Sequence, residues 1–321
     1  MSRVRFSPDL VFWGLLALGI IAAPHFLPPY YQSMIIQILV FALLAASLDI
    51  LLGQLGLVSL GHAAFFGTAG YVAAWLGLGG ITNLWLNLGI SLAVTGLVSA
   101  LYALIVMNAK GGYFLMITLA LAQVFWAVGY SFISVTGGEY GLADLPRPVI
   151  GGGLQLEGLT LQDVTGVLIF AALLTIRSII RSPFGLVLRG FKDSDARMAA
   201  LGYSAFVYKL LAFCISGVFA GLAGILWVYH NRYVSPANLS IEISAIALLM
   251  ATLGGSGTIL GPLLGSVILV TVETIATGYT EYWQIVVGAV YIVVSLALPG
   301  GITRSPIFQR RFGSMIKVAR Q

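Results

Sequence analysis

The chain has 321 residues, of which 59% are hydrophobic and 8% charged, with a formal net charge of +5. Soluble domains carry roughly 25% charged residues. This composition excludes a water-soluble enzyme or a detached nucleotide-binding domain and predicts an all-α bundle in a lipid bilayer. The one cysteine, Cys214, excludes an intrachain disulfide, and membrane orientation explains the positive charge without a nucleic-acid partner.

A membrane-crossing helix needs ~20 mostly apolar residues. Such stretches run over 10–27, 34–52, 58–78, 86–107, 113–134, 161–180, 209–229, 241–256, 259–277 and 282–299. The expectation is about ten helices in a single transmembrane domain, 1–321, with short tails at 1–9 and 300–321. The first stretch is longer than the ~7–15 apolar residues of a secretory signal and no small-residue cleavage site follows, so it reads as an uncleaved span. Only 53–57 separates the second stretch from the third, and only a Gly/Ser turn separates the eighth from the ninth. Either junction is a candidate for a broken or re-entrant helix.

Lys and Arg concentrate in cytoplasmic loops. With ten spans and a cytoplasmic N-terminus, the inner side holds Arg3, Arg5, Lys110, Arg177, Arg181, Arg189, Lys192, Arg197, Lys209, Arg304, Arg310, Arg311, Lys317 and Arg320. The outer side holds Arg147 and Arg232. Both termini are therefore expected in the cytoplasm, with the basic tail beside anionic lipid. The longest inner loop is 181–208 and the longest outer one 135–160.

Several segments carry polar residues at membrane depth, where they are costly and face the bundle interior or a wet cavity. Residues 53–70 read GQLGLVSLGHAAFFGTAG. Gly53 and Gly56 flank Gln54 and are placed to break the helix there. Ser59, Ala63 and Gly67 recur every four residues, a small-residue face for close helix packing. Gln54, Ser59, His62 and Phe66 are candidates to line a pathway, with an interhelical hydrogen bond as the alternative for His62. Residues 111–126 add Thr118 and Gln123, whose spacing of five puts them on different faces. The outer loop carries Thr136, Gly137, Gly138, Glu139 and Tyr140, followed by Pro146 and Pro148, and is not suited to one regular element. Asn238-Leu239-Ser240 matches a glycosylation acceptor by chance.

Within the inner loop, Asp193 or Ser194 is a good N-cap, residues 196–201 are mostly helix formers, and Gly202 supplies a stop. A helix under ~12 residues is marginal in water, so this one needs a groove to hold it. Residues 254–265, GGSGTILGPLLG, are not a phosphate loop, because no Lys-Ser/Thr follows. Gly257, Gly261 and Gly265 again recur every four residues. Asp49 and Glu273 lie inside apolar stretches, as possible proton relays or internally paired acids.

The blocks GQLGLVSLGHAAFFG, GGYFLMITLALAQ, TGGEYGL, the SPFG-to-ALG loop with YKLLAF, and GGSGTILGP resemble, in order, the permease subunits of branched-chain amino acid ABC importers of the LivM type. That superfamily also includes urea and amide importers. The resemblance covers about 39–299. It implies that 189–202 is a coupling helix docking on a cytoplasmic ATPase, through Arg189, Lys192, Asp193, Asp195, Arg197, Ala199, Ala200, Leu201 and Gly202. It also implies a second related permease subunit, two ATPase subunits that hold ATP and Mg, and a periplasmic binding protein touching 136–141. The chain would sit in a bacterial inner membrane, hold no cofactor and catalyse nothing itself. Two departures from the family pattern are Ser194 between Asp193 and Asp195, where Asn is common, and Glu139-Tyr140, where small or amide residues are usual. Urea, short amides or organic acids are the alternative substrates, and an ion-coupled secondary transporter using Asp49 and Glu273 is the alternative of another class.

Overall fold

The computed structural model describes residues 13, 19–20, 25–109, 111–151, 153–298 and 300–304. Helices occupy the apolar stretches from the second onward. The expected first span, 10–27, and the tail from 305 lie largely or wholly outside the described residues.

Helix α1, Pro29–Asp49, starts on two prolines, whose missing N–H groups cost nothing in a first turn. It continues as a π-helical turn, Ile50–Leu55, and stops at Gly56, whose φ of 71° favours glycine. After an irregular stretch at 56–61 come α2 (His62–Leu78), α3 (Leu84–Val106) and α4 (Gly112–Ser131). Asn83 caps α3 by accepting from the N–H groups of Trp85 and Leu86. The outer loop forms single helical turns at Ile133–Thr136 and Gly138–Tyr140, then a small antiparallel hairpin of β1 (Val149–Ile150) and β2 (Leu154–Gln155). Then follow α5 (Gly158–Arg181), α6 (Pro183–Asp193), α7 (Asp195–Ala200) and α8 (Ala205–Asn231). A 3-10 turn at Pro236–Leu239 leads to α9 (Ile241–Gly254), α10 (Leu260–Thr277) and α11 (Trp283–Ala297).

Among the described residues, six helices, rather than the ten expected, are long and apolar enough to cross a bilayer: Pro29–Leu55, Leu84–Val106, Gly112–Ser131, Gly158–Arg181, Ala205–Asn231 and Leu260–Thr277. α2, with 17 residues, and α9, with 14, are shorter. The chain is a multi-pass helical membrane protein. The long span ending at Leu55 lies at the centre, packed on α5, α8, α9 and α10, while α8 also packs on α2 and α3. The outer helices turn apolar side chains outward, among them Leu97 and Leu101 on α3, Met116 on α4 and Leu296 on α11. Water would not tolerate so much exposed apolar surface, whereas lipid is its natural solvent.

Contacts between connecting segments define two ends. One end gathers 53–61, 106–109, 111–114, 181–209 and 255–259. The other gathers 77–83, 137–150 and 232–240. Arg181, Arg189, Lys192, Arg197 and Lys209 lie at the first end, and Arg147 and Arg232 at the second.

Three expectations change. Ser59 lies in the irregular stretch before α2, so it shares no helical face with Ala63 and Gly67. Gly257 lies in the turn before α10 with φ of 78°, so it is not the first member of a helical stripe. The inner loop holds two helices rather than one, because the amphipathic α6 precedes α7.

Candidate functional site

The block at the Lys/Arg-rich end is built from α6, α7 and the start of α8. Phe184, Val187, Leu188 and Phe191 recur at 3- and 4-residue steps along α6, the spacing of one helical face. Val187, Leu188 and Phe191 are buried. Ser194 is extended and breaks the helix, and its Oγ caps α7 by accepting from the Arg197 N–H at 3.3 Å. Gly190 lets α7 fold back closely, since a Cβ there would strike the Met198 side chain. Lys209 Nζ donates to Asp195 Oδ2 at 2.8 Å, tying α8 to α7. Phe184, Phe191 and Tyr203 surround the Tyr208 ring. These contacts make the segment one compact block.

The expected coupling residues divide between two directions. Arg189, Asp193, Arg197, Ala199, Ala200, Leu201 and Gly202 are exposed, and Leu201 keeps 71% of its surface. Asp195 instead turns back to Lys209. Lys192 is exposed as well, but its Nζ turns toward the bundle and donates to the Gly53 carbonyl at 2.8 Å. Beside it is a cavity of about 290 Å³, lined in part by Leu55, Leu57, Phe114, Phe191 and Asp193.

The π-helical turn of α1 is a junction. Both Asp49 carboxylate oxygens accept from the Gly257 N–H at 2.9 Å. A Cβ on Gly53 would overlap the Gly257 backbone and the Asp49 carboxylate. Glycine is therefore required where α1 meets the α9–α10 turn. Gly261 and Gly265 serve a different contact, between α10 and α9: each lies against α9-end backbone, Gly261 on Gly255 and Gly265 on Met250. Glu273 is half-buried on α10.

Around the start of α2 the polar groups are knitted between helices. His62 Nε2 lies 2.7 Å from Ser216 Oγ, and that hydroxyl donates to the Ser47 carbonyl at 2.6 Å. A serine has one proton to give, so His62 Nε2 carries the proton it donates to Ser216. His62 Nδ1 and Gln54 Oε1 are buried without a hydrogen-bond partner among the described residues. Ser59 Oγ accepts from the Gly61 N–H, and Ser244 Oγ from the Ala63 N–H. Phe66 is buried and stacks on Phe41. Thr118 Oγ1 accepts from the Leu60 N–H and donates to Leu115, while its carbonyl takes the Tyr102 hydroxyl. Gln123 is half-buried, away from that cluster. Thus the structure joins His62 to Ser47 and Ser216, and Thr118 to the 59–61 turn, but leaves Gln123 apart.

At the opposite end Thr136 and Gly138 are buried, whereas Glu139 and Tyr140 are exposed, Tyr140 at 88%. Tyr130 Oη donates to Glu139 Oε2, and the Tyr233 hydroxyl donates to the Tyr140 carbonyl. Leu142 pairs with Val234, and Arg232 Nε donates to the Leu145 carbonyl. The outer loop is thereby fastened to the segment after α8. Sequence reasoning missed that segment's role. Leu239 is buried against Gly67 of α2 and Gly129 of α4, where either glycine's Cβ would strike it. Asn238, discounted as a chance glycosylation match, caps the turn by accepting from the Ser235 N–H at 3.0 Å. The Ser-x-x-Asn spacing and Pro236 were the available signal.

The family model for "Branched-chain amino acid transport system / permease component" matches residues 30–295. The high-affinity branched-chain amino acid transport system permease protein LivM of Salmonella typhimurium is 26% identical over 293 residues, covering 82% of this chain and 68% of that protein. LivM of Escherichia coli is 25% identical with the same coverage. The LivH permease of Salmonella typhimurium is 27% identical over 295 residues, covering 83% of this chain and 92% of that protein. No solved structure matches the chain. The match over nearly all the described helices places the chain in the family of branched-chain amino acid transport permeases.

Proposed function

We propose that this permease carries branched-chain or related amino acids inward across a bacterial inner membrane, with both termini in the cytoplasm. It would act as one half of a pathway completed by a second, related permease. The family match supports an ABC importer subunit. The single structural observation that carries the energetic part is the exposed side of α7, with Arg197, Ala199, Ala200, Leu201 and Gly202 projecting from a rigid block at the Lys/Arg-rich end. Two ATPase subunits, holding ATP and Mg, dock there, and a binding protein delivers substrate at the opposite end near 136–140. ATP-driven closure of the ATPases moves the block and opens the pathway outward, and hydrolysis resets it. Such a cycle requires contacts that differ between two states.

The test is ATP-dependent uptake by proteoliposomes holding the complete importer. Radiolabelled leucine, isoleucine and valine should enter, and unlabelled leucine should compete far better than urea, acetamide or succinate. Uptake of urea or an amide in preference to leucine would replace the substrate assignment and leave the importer assignment standing.

A further inference from the structure

We infer that Lys192 is a positioning residue that transmits movement of the α6–α7 block to the central helix α1 by holding the Gly53 carbonyl. The inference rests on the reading of α7 as the ATPase-docking element.

Gly53 falls within the last four residues of the α1 helical run, where backbone carbonyls lack intrahelical partners. Such carbonyls attract cations, because the helix dipole puts its negative end there. Here the cation comes from a segment 139 residues away: Lys192, in the last turn of α6, at 2.8 Å. Its aliphatic stem lies on Gly56, where a Cβ would sit 3.2 Å from Lys192 Cγ. A bulkier residue at 56 would push the stem away as well as strain the turn.

The same turn is gripped from its other side. Asp49 holds the Gly257 N–H, and Gly53 abuts the Gly257 backbone. The cytoplasmic block, the most buried of the six crossing helices and the α9–α10 turn therefore meet at one irregular turn. Single π-helical turns interrupt a helix at the cost of regular hydrogen bonding, and they often mark functional sites. The block itself is stiffened by Ser194, Lys209 and the packing around Tyr208, so it moves as a unit. The cavity of about 290 Å³ beside Lys192 leaves room for its side chain to let go of Gly53. Displacement of the block then either drags the end of α1 or releases it, which is a two-state element of the kind that coupling requires.

The experiment uses the complete importer in proteoliposomes and reads leucine transported per ATP hydrolysed, together with co-purification of the ATPase. Lys192→Met keeps the stem and removes the donor. It should lower leucine per ATP about tenfold, the weight of one hydrogen bond from a charged group, with ATP hydrolysis and co-purification retained. Lys192→Arg, which keeps a donor, should restore most of the ratio. Unchanged leucine per ATP in Lys192→Met overturns the inference, as does an Arg variant no better than Met. Should the Met variant fail to assemble, Lys192→Leu, which also lacks a donor, carries the same expectation, and failure of both to assemble makes Lys192 a folding element and also overturns it. Ala200→Glu is run alongside. Normal transport by that variant would sink the docking reading itself, whereas its loss beside a normal Lys192→Met would sink only the transmission role.

Discussion

The residues that decide this molecule's behaviour sit where backbone meets backbone. Gly53 is the sharpest example. Gly53→Ala places a methyl group into the Gly257 backbone and the Asp49 carboxylate. Neither side yields cheaply, so overpacking should cost about 2 kcal/mol, read as a lowered melting temperature of the purified protein. Asp49 separates two mechanisms. A proton or sodium relay requires its charge, whereas an acceptor for the Gly257 N–H requires only oxygen. Asp49→Asn should therefore keep ATP-driven leucine uptake, with a stability loss of about 1 kcal/mol from the weakened hydrogen bond to the Gly257 N–H. Abolished uptake in a variant that still melts normally would favour the relay. His62 follows the same logic, because the Ser216 and Ser47 partners make it an interhelical tie.

Elements were legible where mean hydropathy suffices. The apolar stretches from 34–52 onward each contain a helix, because a bilayer demands long apolar runs whose backbone bonds close internally. What failed was periodicity read across breaks. Ser59 and Gly257 fit four-residue stripes on paper, yet the helical ladder begins only at His62 and Leu260. Small-residue spacing says nothing of where hydrogen bonding stops. α6 was missed for another reason. Its apolar face is too narrow to register as hydropathy, although the spacing of Phe184, Val187, Leu188 and Phe191 was readable. The Lys192–Gly53 contact bridges segments too distant for any local pattern. The Pro236–Leu239 turn is the element with the clearest stability prediction. Leu239 fills the space left by Gly67 and Gly129. Leu239→Ala should open a cavity between α2 and α4 and cost about 3 kcal/mol, seen as earlier thermal unfolding and faster proteolysis at the outer end.

For the molecule as a whole, the two ends have different constructions. One end fastens 136–150 to 232–240 through backbone pairing and leaves Glu139 and Tyr140 exposed, where the proposed binding protein would land. The Lys/Arg-rich end carries a compact helical block joined to the core through side chains, Lys192 among them. That asymmetry suits a protein that receives cargo on one side and force on the other. On the proposed function, the force enters through α7. ATP-driven leucine uptake by the reconstituted importer with Ala200→Glu, which puts a charge on the exposed, proposed docking face of α7, tests this head-on. The expected result is loss of co-purifying ATPase and more than about tenfold loss of uptake, with the melting of the membrane helices unchanged. Leucine uptake at the unmodified rate, or uptake driven by an ion gradient with no ATPase present, would contradict it.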